Sequence, residues 1–238
     1  AEAMKARFNI DVRELSEVIK IDRQRKAVEV RSIKDGSIYE ESYDVLVLSP
    51  GAFPVKPPIP GIDSPNIYTL RDIPDTDSIK TFLDEKKPQN AVVVGGGFIG
   101  LEMAENLRKK GLAVTVADLA PQVMLPFDED MAQILHREII THGVSLILGD
   151  GLSSIEEDGI TLSSGRRVPA QAVIMAIGVR PETALAVEAG LDIGKTGAIL
   201  VDRQMRTSDP DVFAVGDAVE VKASIVGYAA SSVGPCNC

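Results

Sequence analysis

The stretch AVVVGGGFIGLEMAENLRKKGLAVTVAD, Ala91 to Asp118, decides the fold. Ala91 to Val94 form a short apolar run of the kind found in strands covered on both faces. The run passes directly into Gly95, Gly97 and Gly100, and the period then changes. Ile99, Met103 and Leu107 recur every four residues with Ala104 beside them, which predicts an amphipathic helix. Lys109 and Lys110 suit the negative end of that helix, Gly111 suits the left-handed position after it, and LAVTVAD reads as a second strand. A G-x-G-x-x-G spacing alone is weak. Between a buried strand and an amphipathic helix it reads as a dinucleotide-binding βαβ unit. There Gly95 permits the tight turn, Gly97 lets backbone approach a pyrophosphate, and Gly100 allows close helix-to-strand packing, with the phosphates facing the positive end of the helix. Asp118 ends the second strand, where a carboxylate can accept from an adenosine ribose and would repel a 2′-phosphate. Leu119, Ala120 and Pro121 follow with no adjacent arginine, so NAD(H) is expected in preference to NADP(H), with FAD the other dinucleotide to consider. The plain alternative is a glycine turn that serves packing alone.

Working outward, EVIKID, KAVEVRSI and SIYEESY alternate like antiparallel strands with one wet face, joined in part by a turn at Asp35-Gly36, whereas VLVL (45–48) reads as a strand covered on both sides. Pro50, Pro54, Pro57, Pro58, Pro60 and Pro65, interleaved with Gly51 and Gly61, read as a structured linker able to sustain neither helix nor sheet. A helix is expected around Asp75 to Glu85. Downstream, a helix around Met131 to His142 carries Met131, Ile134, Leu135 and Ile139 on one face and leads into the strand VSLIL, then short strand candidates ending in AVIMAIG. AILVD and VFAVGD, separated by the turn-rich TSDPD, are strands in need of a sheet.

Composition narrows the function classes. A net charge of −10 with no long Lys/Arg run argues against nucleic acid, so phosphates must be held by geometry. No apolar stretch is long enough to cross a bilayer, and AEAMKARFNI lacks the apolar run of a secretory signal, so no membrane is expected and the cytoplasm is the expected compartment. Cys236 and Cys238 form a C-x-C too small for a structural zinc site and are read as a non-functional tail. His136 and His142 lack an accompanying nucleophile motif and read as ordinary helix histidines. Asp128, Glu129 and Asp130 precede a helix whose dipole they complement, which is preferred to a metal cluster.

KARFNIDVR, YDVLVLSPGA, PPIPGI, LRDIPD, VVVGGGFIGLEMAENL, AIGVRPET and TSDPDVFAVGDAVE, in that order, cover nearly all of the chain to about Val221. With these motifs the sequence resembles the flavin-dependent pyridine nucleotide-disulfide oxidoreductases, in particular their coenzyme A disulfide reductase, NADH oxidase and NADH peroxidase branch. The resemblance implies an α/β fold, in which a Rossmann-like NAD(P)H-binding domain is inserted in an incomplete FAD-binding domain of the two-dinucleotide-binding-domain flavoprotein type. The expected division is 1–75 and 197–238 for the FAD-binding parts and 76–196 for the insert. It implies that Ser49, Pro50 and Gly51 form a crossover near FAD, that Arg71 approaches the flavin, and that Asp217 bonds the FAD ribityl chain, unless Asp217 is only a helix N-cap. Phe98 corresponds to an aromatic over the flavin face and Glu102 to a carboxylate near the nicotinamide, the alternatives being a core phenylalanine and a solvated glutamate. Ile99 joins the same turn, and Gly178 would let backbone approach the nicotinamide unless it is a plain strand-end turn. The implied activity passes hydride from NADH to FAD and on to a small-molecule disulfide or persulfide, with oxygen or peroxide as alternative acceptors, in a homodimer. A different class of reading is a non-catalytic NADH-binding module. The family's first glycine fingerprint, redox cysteine and dimerisation domain are not among these residues. The sequence is therefore expected to be a portion of a longer enzyme that alone binds FAD weakly or not at all and does not turn over.

Overall fold

A computed structural model describes residues 2–222, so Cys236, Cys238 and the tail that carries them lie outside the described residues. The chain divides into two compact units. One comprises residues 53–179, and the other is built from the chain up to Ala52 and from Arg180 onward.

The second unit begins with α1 (Glu2–Phe8), β1 (Ser16–Asp22), β2 (Ala27–Ser32), β3 (Ile38–Ser42) and β4 (Leu46–Leu48), and β5 (Ala52–Pro54) leads out of it. β1, β2 and β3 form the expected antiparallel meander, with Lys20–Glu29, Arg25–Glu40 and Arg31–Glu17 ion pairs along its wet face. β4 departs from expectation. It pairs with a single neighbour, and Val45 and Val47 each remain 57% exposed while Leu48 is buried. Among the described residues its alternating side chains are therefore covered on one face only.

The unit of residues 53–179 contains β6 (Ile67–Tyr68), α2 (Ile73–Lys86), β7 (Asn90–Val94), α3 (Phe98–Lys109), β8 (Ala113–Asp118), α4 (Glu129–Thr141), β9 (Val144–Leu148), β10 (Leu152–Glu156), β11 (Gly159–Leu162), β12 (Arg167–Pro169) and β13 (Ala172–Met175). Its main sheet runs β6-β13-β7-β8-β9 with every neighbouring pair parallel. Strand alternation explains the uninterrupted valines. Val93, Val114, Val116 and Ile174 pack with Ile79, Ala104 and Leu107 of the helices. Val92, Val94, Ala117 and Val173 pack with Ile155, Ile160 and Leu162 of the antiparallel sheet β10-β11-β12. A sheet covered on both faces needs apolar residues on both sides of each strand. This is the Rossmann-like α/β arrangement, with a three-stranded sheet as the cover on one face.

α4 keeps part of its expected face: Ile139 packs against the core and Leu135 is half-buried, whereas Met131 and Ile134 are exposed and the buried residues are Ala132 and His136. α3 buries Ala104 and Leu107 as expected, with Met103 packed against the same core, and leaves only Ile99 of that face exposed.

The chain returns through β14 (Val179–Pro181), α5 (Ala184–Glu188), β15 (Ile199–Val201), β16 (Val212–Ala214), a 3-10 turn (Gly216–Ala218) and β17 (Val219–Val221). β16 runs parallel to β4, and β15 runs parallel to β17. The sequence-based division at 75/76 and 196/197 differs from the contact-based one for identifiable reasons. The proline-rich segment contains β5 after all and runs into β6, which lies beside β13, and Ile155 N–H donates to Pro60 O at 2.9 Å, which ties that segment to the 53–179 unit. Ala186 and Leu191 share a core with Ile21 and Val28, which ties residues 184–191 to the other unit.

That other unit is closed by Arg23. Its Nε donates to Asp209 Oδ2 at 2.6 Å and its Nη1 to the carbonyls of Ala189 and Gly190 at 3.1 and 2.9 Å, with the Arg23 and Asp209 side chains 29% and 14% exposed. The Arg23 bond, and then the Asp211 amide, hold the Asp209 carboxyl below the usual carboxylate range. Arg23→Met, by orphaning three acceptors, is expected to lower stability by about 2–3 kcal/mol at neutral pH. A depressed carboxylate pKa stabilises the fold above the unfolded value near ~4 and stops doing so as pH falls through the folded value. Denaturant unfolding of both proteins should therefore give a gap that is widest at pH 7 and narrows toward pH 3.

Candidate dinucleotide site

β7 turns at Gly95, whose φ of +109° is left-handed and whose N–H donates to Ala117 O at 2.8 Å. A Cβ at Gly95 would stand 2.2 Å from Ala176 O, and one at Gly100 would stand 1.9 Å from Gly95 O. Both glycines are therefore required by the protein's own backbone. Gly97 is different. Its backbone is extended (φ −83°, ψ −171°), and a Cβ there would meet nothing within 4 Å. Gly97 caps α3 without a side-chain hydrogen bond, so the helix opens with backbone donors and its positive dipole end beside open space. That combination suits a diphosphate.

The Asp118 carboxylate is fixed beside the turn. Oδ2 accepts from Gly96 N–H at 2.5 Å and Oδ1 from Ala120 N–H at 2.8 Å. Each oxygen retains a further lone pair for a ligand hydroxyl.

Phe98 is 50% exposed and is not a core residue. Glu102 is exposed one turn further along α3. Both line a groove of about 920 Å³ between α3 and α4, whose apolar wall includes Leu101, Met124, Phe127 and Ile139. Gly178 follows β13 with φ +120° and accepts from Val55 N–H at 3.0 Å. Arg71, exposed, precedes α2, and its N–H donates to Asp75 Oδ2 at 2.7 Å. Gly95 to Gly100, Gly178 and Arg71 thus follow the carboxyl ends of β7, β13 and β6, and Asp118 is the last residue of β8, at the ends where ligands gather on parallel sheets.

A second group lies within the other unit. Ser49, Pro50 and Gly51 follow β4, and Asp217 follows its parallel partner β16. Val215 N–H donates to Leu48 O at 2.9 Å, and a Cβ on Gly216 (φ +83°) would lie 3.6 Å from Ser49 Oγ. Asp217 stands inside the 3-10 turn, and Val215 occupies the cap position, so the N-cap alternative for Asp217 does not hold.

Sequence reasoning missed how the turn is braced. Met124, at φ +49°, donates its N–H to Gly96 O at 2.9 Å, and Val123 N–H donates to His136 Nε2 at 3.1 Å. The acceptor His136 sits thirteen residues from Val123. Local patterns announce a side chain that bonds a backbone amide two or three residues away, and none announces one thirteen residues away in a loop.

The profile of the family described as pyridine nucleotide-disulphide oxidoreductase matches residues 2–232. The chain is 41% identical over 231 residues to an NADH oxidase of Methanocaldococcus jannaschii, covering 95% of this chain and 51% of that protein. A crystal structure of reduced Bacillus anthracis CoADR-RHD superposes with a TM-score of 0.91 at 48% identity, over 93% of this chain and 40% of the other. A NAD-dependent persulfide reductase from A. fulgidus superposes with a TM-score of 0.88 at 38% identity, over 92% and 41%. The chain spans about half or less of the length of the curated relatives it matches.

Proposed function

The chain belongs to the pyridine nucleotide-disulphide oxidoreductase family, and from that membership we propose that it holds NADH at the glycine turn of residues 53–179 as the electron donor of a flavoprotein reductase. Gly95, Gly97 and Gly100 shape the turn, Phe98 and Ile99 open the helix beside it, Glu102 and Gly178 face the nicotinamide end, and Asp118 takes the adenosine ribose. Ser49, Pro50, Gly51, Arg71 and Asp217 are the residues that would hold FAD. Bound at the glycine turn, NADH would supply a hydride, and FAD held by those residues would supply the chemistry that accepts it and delivers the electrons to the acceptor.

The observation that carries this reading is the open space over Gly97 next to a carboxylate already held by two backbone amides. Cβ-free backbone and helix donors bind the diphosphate, while a fixed carboxylate selects an unmodified ribose. Phe98 is half-exposed, which leaves its ring accessible to a bound aromatic ring.

For the acceptor we favour a small disulfide or persulfide, in the cytoplasm and with the enzyme as a homodimer. The likeness to the A. fulgidus persulfide reductase supports the choice of acceptor. Oxygen or peroxide is the second reading, favoured by the 41% identity to the M. jannaschii NADH oxidase.

Two measurements test these statements. Calorimetric titration of the folded 238-residue protein is expected to give one-site binding of NADH and much weaker binding of NADPH. Absence of heat with either nicotinamide coenzyme or FAD would remove the basis of the proposal. NADH consumption by the enzyme that carries this chain, followed without oxygen in the presence of coenzyme A disulfide or a persulfide and then with oxygen alone, separates the two acceptor readings.

A further inference from the structure

His136 is the one buried polar or charged residue among the described residues, at 9% exposure. It occupies the inward face of α4 with Ala132, where the helical period calls for an apolar side chain. A buried imidazole is retained without penalty only where its ring nitrogens are used. Here Nε2 accepts the N–H of Val123 at 3.1 Å.

The bond reaches the dinucleotide turn in two further contacts. Val123 is fully buried, and its Cγ1 is the atom that a Cβ on Gly96 would approach to 2.9 Å, so its side chain lies directly against the turn. The next residue, Met124, is left-handed and donates its N–H to Gly96 O at 2.9 Å. Gly96 N–H in turn donates to Asp118 Oδ2. From α4 to the ribose carboxylate, the segment after β8 is thus held by hydrogen bonds at both ends and by a buried valine between them.

We infer that His136 is a positioning residue of the dinucleotide site: its Nε2 acceptor fixes Val123 and Met124 against Gly96 and so sets the glycine turn and Asp118 for the coenzyme. The inference rests on the reading that this turn binds NADH. It requires a neutral ring with the proton on Nδ1, because a protonated Nε2 cannot accept. It also requires an acceptor at one particular place, more than imidazole as such. A glutamine side chain in its stead places a carbonyl oxygen near the position of Nε2, and a leucine fills similar space with no acceptor.

His136→Leu is expected to bind NADH roughly tenfold more weakly, the loss expected for one buried hydrogen bond. His136→Gln is expected to stay within about threefold of wild type, since the acceptor is restored. A role in packing alone would move both variants together. In the folded wild type, an ¹⁵N-correlated imidazole spectrum of His136 should show Nε2 unprotonated and Nδ1 carrying the proton. If the leucine variant fails to fold, the glutamine variant's affinity and the spectrum still test the acceptor on which the inference depends: a proton on Nε2 overturns the inference, as does a glutamine variant that loses about tenfold or more in NADH affinity. So does equal NADH affinity in the wild-type, leucine and glutamine proteins. A wild type that binds no NADH overturns the dinucleotide reading itself, and this inference with it.

Discussion

Gly97→Val is expected to yield a folded protein that has lost about 100-fold in NADH affinity, equivalent to roughly 2.7 kcal/mol. The backbone at Gly97 is extended, which valine adopts readily, and the added Cβ points into space that no protein atom occupies within 4 Å. Stability should therefore change by no more than about 1 kcal/mol, the scale of a poorer N-cap. The same space is where a diphosphate must come within hydrogen-bonding distance of the first-turn amides, and a branched side chain keeps it out. Gly100→Ala is the contrasting case. Its Cβ would stand 1.9 Å from the carbonyl oxygen of Gly95, so α3 must lift from the sheet. That variant should lose both coenzyme binding and several degrees of melting temperature, as overpacking of about 1–3 kcal/mol implies. Circular dichroism melts and calorimetric titration of the two proteins separate a ligand-facing glycine from a packing glycine. NADH affinity in Gly97→Val within a few-fold of wild type would mean that no phosphate approaches there.

That contrast also marks what the sequence can and cannot convey. The spacing of Gly95, Gly97 and Gly100 between a buried strand and an amphipathic helix is local, and both the turn and the sheet around it follow from it. The valines of β7 are legible because a strand covered on both faces has no polar side to confuse the reading. VLVL has the same composition, yet only Leu48 of it is buried, because composition does not say how many neighbours a strand will have. β6 is two residues long and takes its place from β13, more than a hundred positions away, so no window of sequence reveals it. The buried face of α4 escapes the sequence for a related reason. Apolar periodicity points to Met131 and Ile134 along with Leu135 and Ile139, whereas the helix turns Ala132 and His136 furthest inward, and His136 meets the loop that braces Gly96. Asp118 is legible as a candidate ribose carboxylate from its position at the end of β8. Its bonds to Gly96 and Ala120 are not foreseeable, since they depend on how the chain folds back after the strand.

Those two bonds shape what removal of the carboxylate should do. Asp118→Ala is expected to weaken NADH binding by roughly 30-fold while NADPH binding changes by only about threefold, shifting the ratio of the two affinities by about tenfold. Two effects combine. Loss of the acceptors for Gly96 N–H and Ala120 N–H loosens the turn, and that loss falls on both coenzymes alike. Loss of the ribose contact falls on NADH alone, whereas NADPH gains relief from a carboxylate that opposes its 2′-phosphate. The ratio cancels the shared part, so it reports the ribose contact even when both absolute affinities fall. Asp118→Asn divides the effects further: one oxygen remains to accept an amide N–H, the charge is gone, and discrimination should fall with a smaller common loss. Parallel titrations of the three folded proteins with both coenzymes decide the matter. Equal loss for NADH and NADPH in both variants would mean that Asp118 serves only to hold the glycine turn, and the basis of coenzyme selection would have to be sought at Leu119 and the residues after it.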